Sequence, residues 1–578
     1  MKRALLAIVI VACGPSPRDP GGGAGDDDMP GACVPGVNKC VGHDIVTCNP
    51  DGTLGEVITA CGDLACSEGQ CLTECALAAA SRSYVGCEFW PVDLDNAFDA
   101  LGAPNPAPNS CTAYTTPGGS VPAFHQNVKV CDDGVSPFYL STCDWNDSCP
   151  QGYTCQVHDV CGNDGKGAPF AIVVSNPDPM RPANVTLSND GGITAQVMVP
   201  PQSVQTLIPN DLGFADQSLD FSGIETKAYH MVSDHPIIAY QFNPLNNVGV
   251  FTNDGSLLIP ASAYDTNYYV LTHKSLARRP LRNDWSGYLT VVANGAPTTV
   301  TVTATARTLQ GTGVPAMVPN QQVTFTIAPF QTLTLEAEAP GDLTGTKVEC
   351  TPACGVFAGH EAINLDSNGT HAACCADHLE DMVFPASTWG AHYIVAASAP
   401  RTQLTWDLVR VVAQKSNTTL SIFPQVNGCN QTLQPGQFCD FFTQQDVEIV
   451  ATEPILVGHF LTSNGGLDAD SGDPALSFAI PVAQYRKDYT LLVPAEYDAN
   501  FFAITVPAGG GAMLDGIDVT GQLTNVGTGA FRAARIPVTA GQHRLECTLG
   551  CGVEAEGWSE AVSYLYAGGL NFEQIVLQ

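Results

Sequence analysis

Three sets of residues have the types and spacing to do chemistry. The first is His371-Ala-Ala-Cys374-Cys375-Ala-Asp377-His378, with His360 and Glu361 a short way upstream. Thiolate and imidazole are the donors of tetrahedral zinc, so the set is formally a zinc candidate. In an exported chain, paired cysteines oxidise, and the plainer reading is disulfides from Cys374 and Cys375 to Cys350 and Cys354. His378 is then a structural hydrogen-bonder. A Cys–His nucleophile would need a free thiol, and none is expected.

The second set is Asp468-Ala-Asp470-Ser-Gly472-Asp473. Carboxylates at alternate positions of a glycine-containing loop are hard oxygen donors, which suits calcium. Asp468, Asp470 and Asp473 are the candidate ligands, and calcium is the one cofactor the sequence suggests. A looser group is Asp93, Asp95 and Asn96 with Asp99. Neither set carries the closing glutamate of an EF-hand loop, and the plainer reading of both is a solvated acidic loop. No catalytic residue is assigned. The chain has no Gly-x-Ser-x-Gly elbow, His-Glu-x-x-His helix, Walker loop or Gly-x-Gly-x-x-Gly after a strand.

The third set is the 23 cysteines, an odd count too high for a reducing compartment. Met1-Lys2-Arg3 and the apolar run Ala4 to Ala12 read as a signal peptide over residues 1–12. That run ends on Cys13, as a bacterial lipobox does, so Cys13 is the expected lipidation site. Residues 13–31, GPSPRDPGGGAGDDDMPG after the cysteine, read as a flexible tether. With Cys13 lipidated, 22 cysteines remain for disulfides. Residues 32–75 form a Cys-rich module with Cys33, Cys40, Cys48, Cys61, Cys66, Cys71 and Cys75. It has too few apolar residues for a core and needs staples. Its turn signal, Asn49-Pro-Asp-Gly52, separates two β-prone runs, which predicts a two-stranded knot. Cys87 and Cys111 precede Cys131, Cys143, Cys149, Cys155 and Cys161, in a disulfide-rich insertion over about 104–167. Cys429, Cys439, Cys547 and Cys551 complete the set. Spacing alone leaves the connectivity open.

The elements that would position these residues are strands. From about residue 83 the chain is short runs of Val, Thr, Ile, Tyr and Phe broken by Gly, Pro, Asn and Asp. No amphipathic helix of ten or more residues is expected. One strand type starts at Phe170, Tyr288, Leu408 and Phe501, intervals of 118, 120 and 93 residues. A threonine-rich strand follows the first three. A second strand type recurs at Pro236–Phe242, Gly355–His360 and Pro454–Phe460. A proline with tyrosine eight residues on recurs as Pro260/Tyr268, Pro385/Tyr393 and Pro481/Tyr489, each preceded by an aspartate, Asp254, Asp377 or Asp473. Ser83-Tyr84-Val85-Gly86 reads as the same tyrosine strand opening the first unit. Residues 76–578 are therefore all-β, about four related units in tandem, sandwich-like by their length. A β-propeller with two blades per unit is the alternative.

Several stretches resemble the N-terminal domain of the IgGFc-binding protein family. They are Ser83-Tyr-Val-Gly-Cys-Glu-Phe-Trp-Pro-Val-Asp-Leu-Asp-Asn96, Ala239–Pro244, Asn253–Pro260, Cys375–Glu380, Gly472–Leu476, Gly541–His543 and Ser563–Gly569, spanning roughly 83–570. The resemblance implies an extracellular, non-catalytic binding or adhesion role, not that this chain binds immunoglobulin.

The formal net charge of −34, with 23 Lys+Arg against 57 Asp+Glu, sets nucleic acid aside as a partner. The expected function is surface-anchored binding of an extracellular protein or glycan, with membrane contact through the lipid anchor alone. The expected location is the outer membrane or cell surface of a Gram-negative bacterium, or, alternatively, the medium after secretion. Two rival functions are an exported hydrolytic or carbohydrate-active enzyme on a β scaffold and a structural envelope component. The enzyme would show acidic pairs in a tryptophan-lined groove. Trp90, Trp145, Trp285, Trp389, Trp406 and Trp558 are the candidates for such a lining, or for a sugar platform, and core is the plainer reading.

Overall fold

The structure is a computed structural model that describes residues 33–42, 44–62, 64–100, 111, 114–116, 119–121, 124–136, 143, 149, 151–245, 252–277, 284–366, 376–401, 406–464, 471–559 and 562–575. The chain separates into an N-terminal module, Met1–Leu77, and a body, Ala78–Gln578. Cys13, Asp468, Asp470, Cys374 and Cys375 lie outside the described residues. Every described cysteine is disulfide-bonded.

The module folds around its turn. Gly52, at φ +80°, lets its N–H reach the Asn49 carbonyl at 2.9 Å, and the strands Asp44–Cys48 and Leu54–Ala60 pair on either side. A third strand, Lys39–Val41, adds to Asp44–Cys48, and Ala65–Ser67 pairs with Gln70–Leu72, so the module has five strands in two small sheets where two strands were expected. The Lys39–Val41 sequence, Lys-Cys-Val, is too short to show a period. Cys33–Cys48, Cys40–Cys66 and Cys61–Cys71 staple it.

The body is four β-sandwiches of one design. Strands of mainly apolar residues lie in the inner sheet of each: Ala171–Asn176, Gly287–Ala293, Asp407–Ala413 and Ala499–Pro507. The first three are buried at every residue, which is why their sequences do not alternate. Threonine-bearing strands such as Ala183–Ser188 and Thr298–Thr303 lie in the outer sheets and alternate buried with exposed. A long bent strand crosses from outer to inner sheet, as His230–Asn243, Lys347–Ile363 and Gly541–Ser559. In the third sandwich it is cut into Val447–Ala451 and Ile455–Leu461, with Pro454, which has no N–H to give a ladder, at the cut.

The crossings explain two pairs of cysteines. Cys350 bonds to Cys354 and Cys547 to Cys551, each pair closing the loop where its bent strand changes sheets. The bonds from Cys350 and Cys354 to Cys374 and Cys375 are therefore excluded. Cys429–Cys439 closes a loop of the third sandwich. The insertion forms a three-stranded sheet from Phe98–Ala100, Phe124–Asp132 and Thr154–Asp164. Cys111–Cys161, Cys131–Cys149 and Cys143–Cys155 hold it.

The proline–tyrosine landmark is a clamp on the same crossing. Pro260, Pro385 and Pro481 each begin a 3-10 turn. Tyr268, Tyr393 and Tyr489 then donate to the carbonyls of Cys354, Ile455 and Cys551. Each hydroxyl also accepts the N–H three residues before it. Tyr84 does not hold this position. Phe89 pairs with Met231 as Tyr268 pairs with Val348 and Tyr489 with Leu545, so Phe89 is the counterpart and has no hydroxyl. Tyr84 instead closes the body on itself, its N–H donating to the Leu570 carbonyl while Phe572 N–H reaches Arg82. Tyr393→Phe should cost about 1–3 kcal/mol, because it strands the buried Ile455 carbonyl and Gly390 N–H. A midpoint unchanged in urea titration would show that the clamp carries no load.

The four sandwiches are arranged as a ring. Each contributes one axial strand: Asp254–Leu257, Asp377–Met382, Leu476–Phe478 and Val562–Ala567. The first packs against the second and fourth, and the third packs against the same two. The arrangement is circular, as in a propeller, but each unit folds into two layers, made from one continuous sheet through the bent strand in the first, second and fourth units and from two separate sheets in the third.

Candidate functional site

Carboxyl groups line the axis, and their partners are backbone amides of neighbouring sandwiches. Asp254 accepts the N–H of Glu380 at 3.2 Å and of Leu476 at 3.1 Å on one oxygen, and of Gly255 at 2.8 Å on the other. Asp381 accepts Ser256 Oγ–H at 3.0 Å, Met382 N–H at 2.8 Å and Phe478 N–H at 3.0 Å. Asp377 accepts the N–H of Asn253 at 2.6 Å and of His378 at 2.9 Å. Asp473, the described member of the predicted calcium loop, is fully buried. It accepts Asn464 N–H at 3.3 Å and gives its own N–H to Ser563 Oγ at 2.8 Å.

The reason is geometric. Here side chains, not a ladder, cap the edge amides of axial strands that meet at the ring centre, and a buried N–H left unpaired is costly. Burial drives Asp254, Asp377 and Glu380 well above the usual carboxylate range, and Asp381 up to about 8. These are struts closed to solvent. His378, beside Glu380 at 3.5 Å, is pushed down to about 3 by burial and is neutral. Both of its ring nitrogens are buried without a hydrogen-bond partner, so the hydrogen-bonding role expected from the sequence is not made.

A second buried group joins the third and fourth sandwiches. His459 places Nε2 3.2 Å from Asp407 and Nδ1 3.1 Å from Glu554. Burial alone would make it neutral, but the charge of Glu554 and the Asp407 hydrogen bond outweigh burial and raise it to about 10. Glu556, raised by burial to about 7, accepts the Ala399 N–H at 2.9 Å. An acid–histidine–acid row is the form of a catalytic relay, but Ser398 turns its hydroxyl to Asp407 at 2.7 Å, not to the imidazole. The row is a charged lock inside the protein.

A third group lies between the first and second sandwiches. One carboxyl oxygen each from Asp95, Glu336 and Glu361 falls within 4.8 Å of the others. Asp95 sits in the loop after Gly86–Phe89, Glu336 ends the strand Gln331–Glu336, and Glu361 is on the second bent strand. Asp95 accepts Phe221 N–H at 3.0 Å, and Glu361 accepts Ser286 N–H at 2.8 Å. Lys166, paired with Asp220, lies close enough to act on Asp95.

The remaining sequence candidates are placed as follows. Trp90, Trp285, Trp389 and Trp558 are buried, Trp406 is half-buried, and Trp145 lies outside the described residues. Trp90 stacks on His230 at 4.2 Å between ring centres. Sulfurs of Cys131, Cys143 and Cys149 converge, but all three are in disulfides.

The family model for IgGFc binding protein matches residues 254–555. The chain belongs to the IgGFc-binding protein family. It is 25% identical to the human IgGFc-binding protein over 394 residues. That stretch is 67% of this chain and 7% of the human protein, so the chain spans a small part of its relative. A solved tetra-tandem repeat from the extending region of a large adhesion protein aligns with 70% of this chain and 96% of its own, at 12% identity and a TM-score of 0.09, too low to carry an argument. The family match begins at Asp254, the first residue of the first axial strand, and takes in two more axial strands. The stretches that resembled the family in sequence, Asn253–Pro260, Gly472–Leu476 and Ser563–Gly569, contain or adjoin axial strands.

Proposed function

We propose that the chain is a non-catalytic binding protein of the cell exterior, held to a membrane surface by a lipid on Cys13. Its ligand in this reading is an extracellular protein. Membership of a family named for binding is the observation that carries it. The burial of the acidic groups supports it too, because the close carboxyl sets among the described residues are packed inside the ring or between sandwiches. They do not line a groove, as a glycosidase pair would. Four buried tryptophans favour a protein over a glycan, since a sugar platform needs exposed rings. Extensive disulfide bonding fits an oxidising exterior. Among the described residues no helix is long and apolar enough to cross a membrane.

The test is immobilisation of the full chain, followed by capture from extracellular and cell-surface protein fractions, with immunoglobulin G Fc and a glycan array as separate arms. Saturable, competable capture of a protein supports the reading. Binding confined to glycans, or none in any arm, overturns it. For the anchor, Cys13→Ala should move the protein from the membrane fraction to the soluble one, and membrane association that survives the substitution removes lipidation from the account.

A further inference from the structure

We propose that Lys166 and Asp220 are joined by an isopeptide bond, made with Asp95 as proton carrier. The bond ties the end of the disulfide-rich insertion to the segment that leads from the first sandwich into the second. The two side chains are in contact, lysine Nζ against a carboxyl oxygen, 54 residues apart in sequence. Such a bond needs an amine, a carboxyl group and a buried acid beside them, and the chain brings all three to one place.

The loop 93–97 carries the acid and is gripped by two segments. Gly165 N–H donates to the Ala97 carbonyl at 2.8 Å. A β-carbon on Gly165 would lie 2.7 Å from the Asn96 side-chain oxygen, so this close approach requires glycine immediately before Lys166. From the other segment, Leu219 N–H donates to the Asp93 carbonyl at 2.9 Å, and Phe221 N–H to Asp95 Oδ2 at 3.0 Å. Lys166 and Asp220 thus sit on the two segments that hold the Asp95 loop, and both lie within electrostatic reach of the Asp95 carboxyl. Phe221 stands at φ +64°, a conformation a bulky residue rarely adopts. Backbone strain of this kind persists where the surroundings fix it, and here it is fixed next to Asp220.

The step is a condensation and needs no oxidant or co-reactant. Within the ion pair, Lys166 first passes a proton to Asp220. The neutral Nζ then attacks Cγ of Asp220, and an N–C bond forms as the hydroxyl departs. Asp95 gives its proton to that hydroxyl and takes one from the nitrogen, so the acid is restored. One ammonium and one carboxylate become one amide and one water, with no proton left over. Burial, with the charges of Glu336 and Asp220, holds Asp95 well above the usual carboxylate range, so it has a proton to give at neutral pH. The amide also removes two charges from a half-buried site, where keeping them ionised is costly. Held in contact, amine and carboxyl react as an intramolecular pair.

The test is protease digestion and mass spectrometry of the full chain after reduction and denaturation. Wild type should yield a branched peptide that joins Lys166 to Asp220 and is lighter than its two arms by one water. Lys166→Arg should return the Asp220 peptide in linear form. Asp95→Asn leaves both bonded residues in place and should slow formation of the bond by about 100-fold or more, so that freshly purified protein gives both peptides in linear form. Should Asp95→Asn not fold, Lys166→Arg, at a half-buried position, still decides whether the bond exists. The proposal is overturned if wild type gives only linear peptides, or if folded Asp95→Asn forms the bond as fast as wild type does.

Discussion

Replacing His459 by leucine should destabilise the body by about 3–5 kcal/mol at neutral pH, as removal of one partner from a buried ion pair does. The substitution leaves Asp407 and Glu554 facing each other across an apolar side chain, with the positive charge between them gone. Leucine fills much of the imidazole volume, so the loss reports on charge and not on a cavity. A cost below about 1 kcal/mol in urea titration would show that the row is not charged as its geometry requires. The same row gives the body an unusual pH profile. His459 is raised from 6.5 to about 10 in the folded state, so its stabilising contribution is complete below about 6.5 and disappears as pH rises through 10. The buried acids act in the same direction. Asp381, at about 8, and Glu556, at about 7, bind a proton more tightly folded than unfolded. Stability therefore falls as pH rises from about 4 toward 8, where the unfolded chain has already released those protons. Asp407 is an opposing case: burial raises it, but the His459 contacts outweigh burial and hold it below its usual value. The expected net result is a Tm that declines from pH 5 to pH 9, with the upper part of the decline absent in His459→Leu. A Tm that rises across that range would overturn the protonation states assigned to the ring interior.

Asp254→Ala should be as damaging. It removes the acceptor of three buried amides, those of Gly255, Glu380 and Leu476, which belong to three different sandwiches. Each unsatisfied donor costs about 1–3 kcal/mol, so a total of about 3–9 kcal/mol is expected if solvent cannot enter. Asp254→Asn keeps one carbonyl acceptor and should recover a substantial part of that loss. If alanine and asparagine behave alike, the carboxyl is not what ties the sandwiches together. The measurement is equilibrium unfolding of both variants, with thiol titration to confirm that the disulfides stay intact.

Much of this was legible in the chain because the units repeat. Val-Val runs at Phe170, Tyr288 and Leu408 mark strands buried on both faces, and a residue type that recurs at a fixed place in a strand pattern points to a shared fold. The clamp tyrosines were visible for the same reason, since Tyr268, Tyr393 and Tyr489 each follow a proline by eight residues. The first unit misled because Tyr84 resembles that pattern locally, whereas the ladder register gives the position to Phe89. A shift of five residues, from Tyr84 to Phe89, leaves no trace in composition. The disulfides divide the same way. That the cysteines oxidise follows from their number, but Cys350 pairing with Cys354 depends on a strand changing sheets between them, which no spacing reveals.

By itself the sequence determined an all-β chain of four related units with its cysteines in disulfides, because period, turn residues and cysteine count are local properties. Tertiary structure alone decided that the units close into a ring and that Asp254, Asp377 and Asp381 cap each other's strands. It also decided that Asp95 belongs with Glu336 and Glu361. Carboxyl groups 127 or 241 residues apart along the chain, Asp254 with Asp381 and Asp95 with Glu336, meet when sheets pack, and the cost of leaving buried amides and carboxyls unpaired then selects their partners.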